Sequence, residues 1–412
     1  MRSKIQTRLI PGSGTPAGDM STVHLPGLQF RNSGSDGGGS THVYADSYPG
    51  TMITAGGTAG AGSSTTDFDY RRGGKGQLQR SAFGSDPLAA YDTGTVSNIG
   101  SDAATNTLSK ADGWGTLTAG QIVLVEGLAA PSPLFIAPVL SVAGNDITLD
   151  PNFAALGNEV AGNPVRVFHD ENLRLGNQDK PFLLEGWNPH TSADRTPYGW
   201  VAHDCLCLNW GIRMTYGNDK PVPVTQNFTI QPMGRTTNIA SQLANGTLTE
   251  IDVPLFDSGL GFGDRLNSTV GMGLRHNGLL IPGVFVQNLE LSVQSPSLNK
   301  GGCGADGSTF LTRDGEIDGR LTLTVDKGTA GWRTLRDEMD SSTQATRTSF
   351  GFGWQKGGYR VYVYLPSLQP LRDSTDSGAT KTGDDEDAFT YKVVREPSYL
   401  FSPIVLAHFA PV

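Results

Sequence analysis

Residues 288–294, "NLELSVQ", alternate without a break. Leu289, Leu291 and Val293 fall on one side of an extended chain, and Asn288, Glu290, Ser292 and Gln294 on the other. Residues 319–325, "GRLTLTV", repeat the rhythm, with Leu321, Leu323 and Val325 set against Arg320, Thr322 and Thr324. A period of two is that of a half-buried strand, because successive side chains on an extended backbone point to opposite faces. Strand-like runs recur along the chain: "GQIVLVEGL", "NPVRVFH", "WVAHDCLCLNWGIRMTY", "QNFTIQPM", "SFGFGW", "YRVYVYLPSL", "DAFTYKVVREP" and "PIVLAHFAPV". "LSVAGNDITLDP" reads as two strands about an Ala143-Gly144-Asn145-Asp146 turn.

Helical spacing is scarce. "DKGTAGWRTLRDEMDSS" carries Trp332, Leu335 and Met339 on one helical face, with Thr329 placed to cap its start. "GKGQLQRSAFG", Gly74 to Gly84, predicts one short helical turn with Leu78, Ala82 and Phe83 inward. The expected fold is therefore mainly β, a sandwich or barrel core with one flanking helix.

Composition sharpens the division of the chain. Glycine is abundant, 54 of 412 residues, and only 17% of residues are charged, which suits many strands joined by turns. Residues 1–65 are rich in Gly, Ser and Thr, as in "RNSGSDGGGST" and "TAGGTAGAGSSTT". Alone, such a segment cannot bury enough apolar surface to offset its ordering entropy, so it is expected as an extended arm held by neighbouring subunits. Residues 92–170 predict a small inserted β domain, a closed barrel or sandwich. Residues 66–91 and 171–412 are assigned to the main β core. Within it, the Gly-rich stretch from Met233 to Leu280 is too long for an ordinary turn, and such loops are usually functional or held by partners.

Charge and cysteine content narrow the function. The net charge is −9, from 31 basic and 40 acidic residues, without the basic patch that tight phosphate binding requires. Cys205, Cys207 and Cys303 are too few for a disulfide framework and fit assembly in a reducing cytoplasm. The opening "MRSKIQTRLIPGSGTPAGDM" has no apolar run after its basic start, so no signal peptide is expected. No stretch has the apolar length of a membrane-spanning helix.

Candidate chemistry is thin. "TRDGEIDGRLTLTVD" offers Asp314, Glu316 and Asp318 ahead of Gly319, as a calcium loop would. The twelfth residue from Asp314 is Val325, which cannot supply the closing carboxylate, so the stretch reads as an acidic turn feeding a strand. His203, Cys205 and Cys207 alternate onto one face of a strand, and His190 or Asp194 could complete a zinc set. The plainer reading is that the cysteines are small buried hydrophobes. Ser192 lies near His190 and Asp194 in "HTSAD", without a nucleophile elbow. "RRGGKGQ", with Lys75, lacks phosphate-loop spacing, and Gly259, Gly261 and Gly263 recur too regularly for a dinucleotide turn. Asp384 to Asp387 read as a solvated turn between strands. No catalytic, cofactor-binding or metal residue is assigned, and no enzyme is expected.

The order of several segments carries a resemblance. "NLRLGNQDKPFLLEGWNP", "PGVFVQNLELSVQSP", "GEIDGRLTLTVDKG", and "GYRVYVYLPSLQPLRDSTDSG" returning as "DEDAFTYKVV" together resemble the tail tube proteins of long-tailed, siphovirus-type bacteriophages. "LTAGQIVLVEG" and "EVAGNPVRV" resemble the small β domain inserted in larger members. The resemblance spans about residues 90–412. It implies a structural virion protein whose hexameric rings stack into a tube that passes DNA into the host. Its partners would be other copies of itself, the tape measure, terminator and distal tail proteins, and passing double-stranded DNA without specific binding, with no membrane partner. Assembly would take place in the host cytoplasm. Under that reading Asn288, Glu290, Ser292, Thr322 and Thr324 face the lumen, whose acidic, hydroxyl-rich surface would not grip phosphate. Rival readings are a capsid decoration or tail-terminator protein and a carbohydrate-active β-protein.

Overall fold

A computed structural model describes residues 6–11, 29–32, 53–59, 77–188, 198–215, 224–231, 234–237, 274–280, 286–294, 297–301, 309–313, 318–340, 347–356, 359–371, 386–395 and 402–409. The fold is mainly β, with antiparallel strand ladders throughout. The N-terminal segment supplies β1 (Gln6–Pro11), β2 (Gln29–Asn32) and β3 (Ile53–Ala59), followed by helix α1 (Gln77–Phe83). A run of short strands follows: β4 (Tyr91–Asp92), β5 (Ile99–Asp102), β6 (Thr107–Lys110), β7 (Ile122–Glu126), β8 (Leu134–Ala143), β9 (Asp146–Leu149) and β10 (Arg166–His169). Then come β11 (Glu171–Arg174), β12 (Phe182–Asn188), β13 (Tyr198–Thr215), β14 (Val224–Gln231), β15 (Gly234–Thr237), β16 (Arg275–His276) and β17 (Leu279–Leu280). The last third holds β18 (Val286–Gln294), β19 (Ser297–Gly301), β20 (Thr309–Arg313), β21 (Asp318–Asp326) and helix α2 (Ala330–Asp340). It ends with β22 (Thr348–Lys356), β23 (Tyr359–Pro370), β24 (Glu386–Val393) and β25 (Val405–Phe409). Among the described residues no helix is long and apolar enough to cross a membrane.

The main sheet runs in the order β17-β16-β22-β23-β24-β21-β18-β13-β14-β3-β2, with β1, β11, β12, β15 and β25 attached beside this path. Two long strands hold it together, each serving two partners in succession along one edge. β13 pairs with β12 up to Cys205 and with β18 from Asn209 onward. Between those ladders the Cys207 backbone N–H donates to Ser81 Oγ of α1 (2.9 Å), while Phe83 packs edge-on against Trp210 at 5.0 Å. The short helix thus fills the break in the ladder and satisfies a buried donor. β23 behaves likewise, pairing with β25 over Arg360 to Tyr364 and with β24 over Leu368 to Pro370.

The described parts of residues 1–65 depart from the expected arm: β1 pairs with β12, β3 with β14, and β2 with β3, so these three strands extend this chain's own sheet. Ladder hydrogen bonds use backbone groups alone, so a Gly-, Ala- and Thr-rich strand such as "ITAGGTA" can join without an apolar face of its own.

β4 to β10 form a separate sheet in the order β4-β10-β7-β8-β9-β6-β5. The bridges Val96↔Val165 and Ser101↔Glu159 carry the β4–β10 register onward. Residues 91–102 are therefore paired with 159–169 on one side and with β6 on the other, and the sheet closes into a barrel. Ala143 and Asp146 pair across the expected tight turn.

Two large apolar clusters pack the described residues, beside a small one of Leu206 and Leu208. One joins Leu289, Leu291, Val293, Leu321, Leu323 and Val325 to Val361, Val363 and Leu365 of β23, and to Leu335 and Met339 of α2. Thr329 caps α2, its Oγ1 accepting the Trp332 backbone N–H at 3.1 Å. The second fills the barrel and continues into the main sheet through Tyr362, Tyr364, Val405, Ala407 and Phe409. Phe153 meets Tyr364 edge-on at 5.3 Å and Phe168 meets Phe409 at 6.2 Å. The order is thus barrel, sheet, helix, with β23 and β25 buried on both faces.

Candidate functional site

The alternation of β18 and β21 sets the site. With Leu289, Leu291, Val293, Leu321, Leu323 and Val325 all in the core, the intervening side chains must emerge together on the other face of the sheet. Asn288 stands opposite Thr324, Glu290 opposite Thr322, and Ser292 opposite Arg320. Arg213 of β13 flanks Glu290, and Thr390 of β24 flanks Thr322. All five residues assigned from sequence therefore share one polar face of adjoining strands. Glu290 is exposed and the other four are half-buried.

The face is tied together by weak polar contacts. Arg213 Nε donates to Asn288 Oδ1 at 3.3 Å, and the Thr322 and Thr390 hydroxyls lie 3.3 Å apart. Arg320 Nε is 3.4 Å from Asp318 Oδ2. Lys392 stands directly opposite Arg320, and Glu386 directly opposite Asp326. The face is hydroxyl-rich and of mixed charge: Arg213, Arg320 and Lys392 are interleaved with Glu290, Asp318, Asp326 and Glu386. Sequence alternation located the face. The charges contributed by β13 and β24 were not legible, because strand neighbours distant in sequence supply them.

A second polar cluster lies between α2 and the sheet. His276 Nε2 is 2.9 Å from Glu338 Oε2, which also accepts from the Tyr391 hydroxyl at 3.2 Å. Burial, and the Glu338 carboxylate beside it, hold the Tyr391 phenol well above its usual range, so it stays a donor. Asp387 is buried rather than part of a solvated turn, and its two oxygens are taken by Trp332 Nε1 (2.7 Å) and Lys327 Nζ (3.3 Å). Strand periodicity explains the difference: Asp387 shares the inward side of β24 with Phe389 and Tyr391.

Of the candidate zinc ligands, Cys207 is buried in the main core and its thiol contacts Asn209 O at 3.2 Å. The side chains of His203 and Cys205 lie outside the described residues, as do His190, Ser192, Asp194, Cys303, Asp314, Glu316, Asp384, Lys75 and the Gly259 to Gly263 stretch. Among the described residues no cluster of His, Cys, Asp and Glu is arranged to hold a metal ion. No model of a known protein family matches the chain, and no curated protein matches it.

Proposed function

We propose that this chain is a structural subunit of the tail tube of a long-tailed bacteriophage, assembling through its own copies into stacked hexameric rings that pass DNA. The observation that supports this reading is the polar face of β18 and β21. It is broad, rich in hydroxyls and close to charge balance, and it lies on the reverse of a continuous apolar core. Such a surface offers passing phosphates neither a cationic grip nor a uniform repulsion. Asn288, Glu290, Ser292, Thr322 and Thr324 are its proposed lumen-facing residues.

Among the described residues the main sheet ends at β17 and β2, edges at which copies can add. The Met233 to Leu280 stretch is the proposed bridge between subunits and rings. Tape measure, terminator and distal tail proteins are the proposed further partners, and the virion tail the proposed location.

Electron microscopy of the purified chain at high concentration tests the reading. Stacked six-fold rings or hollow tubes are expected. Monomers at every concentration, with and without an initiating tail-tip complex, would overturn it.

A further inference from the structure

We propose that the joint between the barrel and the main sheet is acid-released: it is held by His169 acting as a neutral hydrogen-bond acceptor, and protonation of that ring frees the barrel before the core melts. His169 ends β10, where the chain leaves the barrel for β11. Three contacts tie the joint within a few residues. Asn172 of β11 clasps Ile122 of β7, its Oδ1 accepting the Ile122 N–H (2.8 Å) and its Nδ2 donating to the Ile122 carbonyl (3.1 Å). Arg174 Nη2 donates to the Ala119 carbonyl (3.3 Å). Gln121 Nε2 lies 3.2 Å from His169 Nε2.

The polarity of that last contact follows from its neighbour. The Thr118 backbone N–H donates to Gln121 Oε1 at 2.6 Å, so the Gln121 amide presents its NH2 group to the histidine. His169 Nε2 must then be the unprotonated acceptor, with the proton on Nδ1. Nδ1 is itself buried without a hydrogen-bond partner. A second proton, on Nε2, would set an N–H against the Gln121 NH2, and the ring would then carry two N–H groups without an acceptor.

The surroundings add no compensation. Tyr91 of β4 stands opposite His169, its ring 6.3 Å away and its phenol pushed up to about 12 by burial. The charge acting on the imidazole is the Arg174 guanidinium, a cation. Nearby carboxylates are engaged elsewhere: Asp92, Glu126 and Asp170 act on Arg166, and Glu171 pairs with Arg80 of α1. His408 alternates with Val405, Ala407 and Phe409 and so faces the other side of β25. Burial first, then Arg174, lowers the His169 pKa from 6.5 to about 4. A depressed histidine contributes stability at neutral pH and loses it as pH falls from about 6.5 to about 4, because the opened state takes the proton first.

The test uses the full chain with labelled histidine, of which it has seven. The His169 ring should titrate with a midpoint near pH 4 and show an unprotonated Nε2 above it. Hydrogen exchange, corrected for intrinsic rates, should deprotect the Ile122 and Asn172 amides about tenfold per pH unit over that window. The Leu289 and Leu323 amides should stay better protected than the joint at every pH in the window, because they exchange only when the core itself opens. His169→Gln should flatten the pH dependence at the joint. Gln121→Glu places an acceptor against Nε2, so the His169 midpoint should move above 6.5 and acid opening should disappear. Equal protection at the joint and the core throughout the window, or unchanged profiles in Gln121→Glu, would overturn the proposal even if His169→Gln failed to fold.

Discussion

Arg275 and His276 are adjacent in sequence yet fasten opposite layers of the molecule. The Arg275 guanidinium lies 5.3 Å from the centre of the Phe153 ring and donates to the Asn152 carbonyl at 3.4 Å, both on the barrel. The His276 imidazole meets Glu338 of α2 at 2.9 Å on the other side. Asn277 and Gly278, both at positive φ, turn the chain back immediately afterwards, and Gly278 abuts Asn152 so closely that a Cβ could not fit. Glu338→Ala would strand the buried Tyr391 hydroxyl and the His276 ring. A loss of about 1–3 kcal/mol is expected from urea unfolding, with Glu338→Gln milder because it keeps an acceptor. A change within experimental error would show that the cluster contributes nothing to stability.

Tyr362 and Gly351 give a prediction of the opposite sign. The Tyr362 hydroxyl is buried without a hydrogen-bond partner and lies against Gly351, where it blocks the space a Cβ would occupy. Tyr362→Phe removes an unsatisfied polar atom and should be neutral or stabilising by up to about 1 kcal/mol. Gly351→Ala should cost about 1–3 kcal/mol by overpacking, and the double variant should recover part of that loss. Melting curves of the three variants decide it; strict additivity would mean the hydroxyl is not what excludes the methyl.

Asp387 anchors the start of α2 to β24 through Trp332 and Lys327. Asp387→Ala leaves the indole N–H without its acceptor and is expected to cost about 2–3 kcal/mol in denaturant unfolding. Asp387→Asn, which keeps the acceptor for Trp332, should lose less. Equal losses in the two variants would assign the effect to the ion pair with Lys327 instead.

Glu290 is the exposed acid at the centre of the polar face, between Arg213 and Thr322. Glu290→Lys, together with Ser292→Lys, would turn a surface of mixed charge into a cationic one. If the face lines a DNA conduit, passage should slow and infectivity of particles built from the variant should fall, with assembly intact by microscopy. Normal infectivity would remove these residues from the lumen.

The local parts of this fold were legible where side-chain periodicity is strict. Leu321, Leu323 and Val325 announced β21, Thr329 announced the start of α2, and Ala143 to Asp146 announced a hairpin. Pairings between distant segments were not legible. Nothing in "ITAGGTA" shows that β3 will join β14, because backbone hydrogen bonds carry no sequence signature. The burial of Asp387 escaped notice for a related reason: its charge argued for solvent, and the Trp332 and Lys327 groups that receive it lie 55 and 60 residues away. At the candidate face, the five residues named from sequence came from two strands whose alternation was strong. The cations beside them came from Arg213 and Lys392, on strands that pair with those two only in the folded chain.

β23 has no wet side. From Val361 to Leu368 every residue is buried, with Tyr362 and Tyr364 turned to the barrel and Val361, Val363 and Leu365 turned to α2. That makes the strand a two-channel reporter. A cysteine placed at 364 would react with a thiol reagent only after the barrel departs, and one at 363 only after the helix layer opens. The order in which the molecule comes apart can therefore be read from two neighbouring positions.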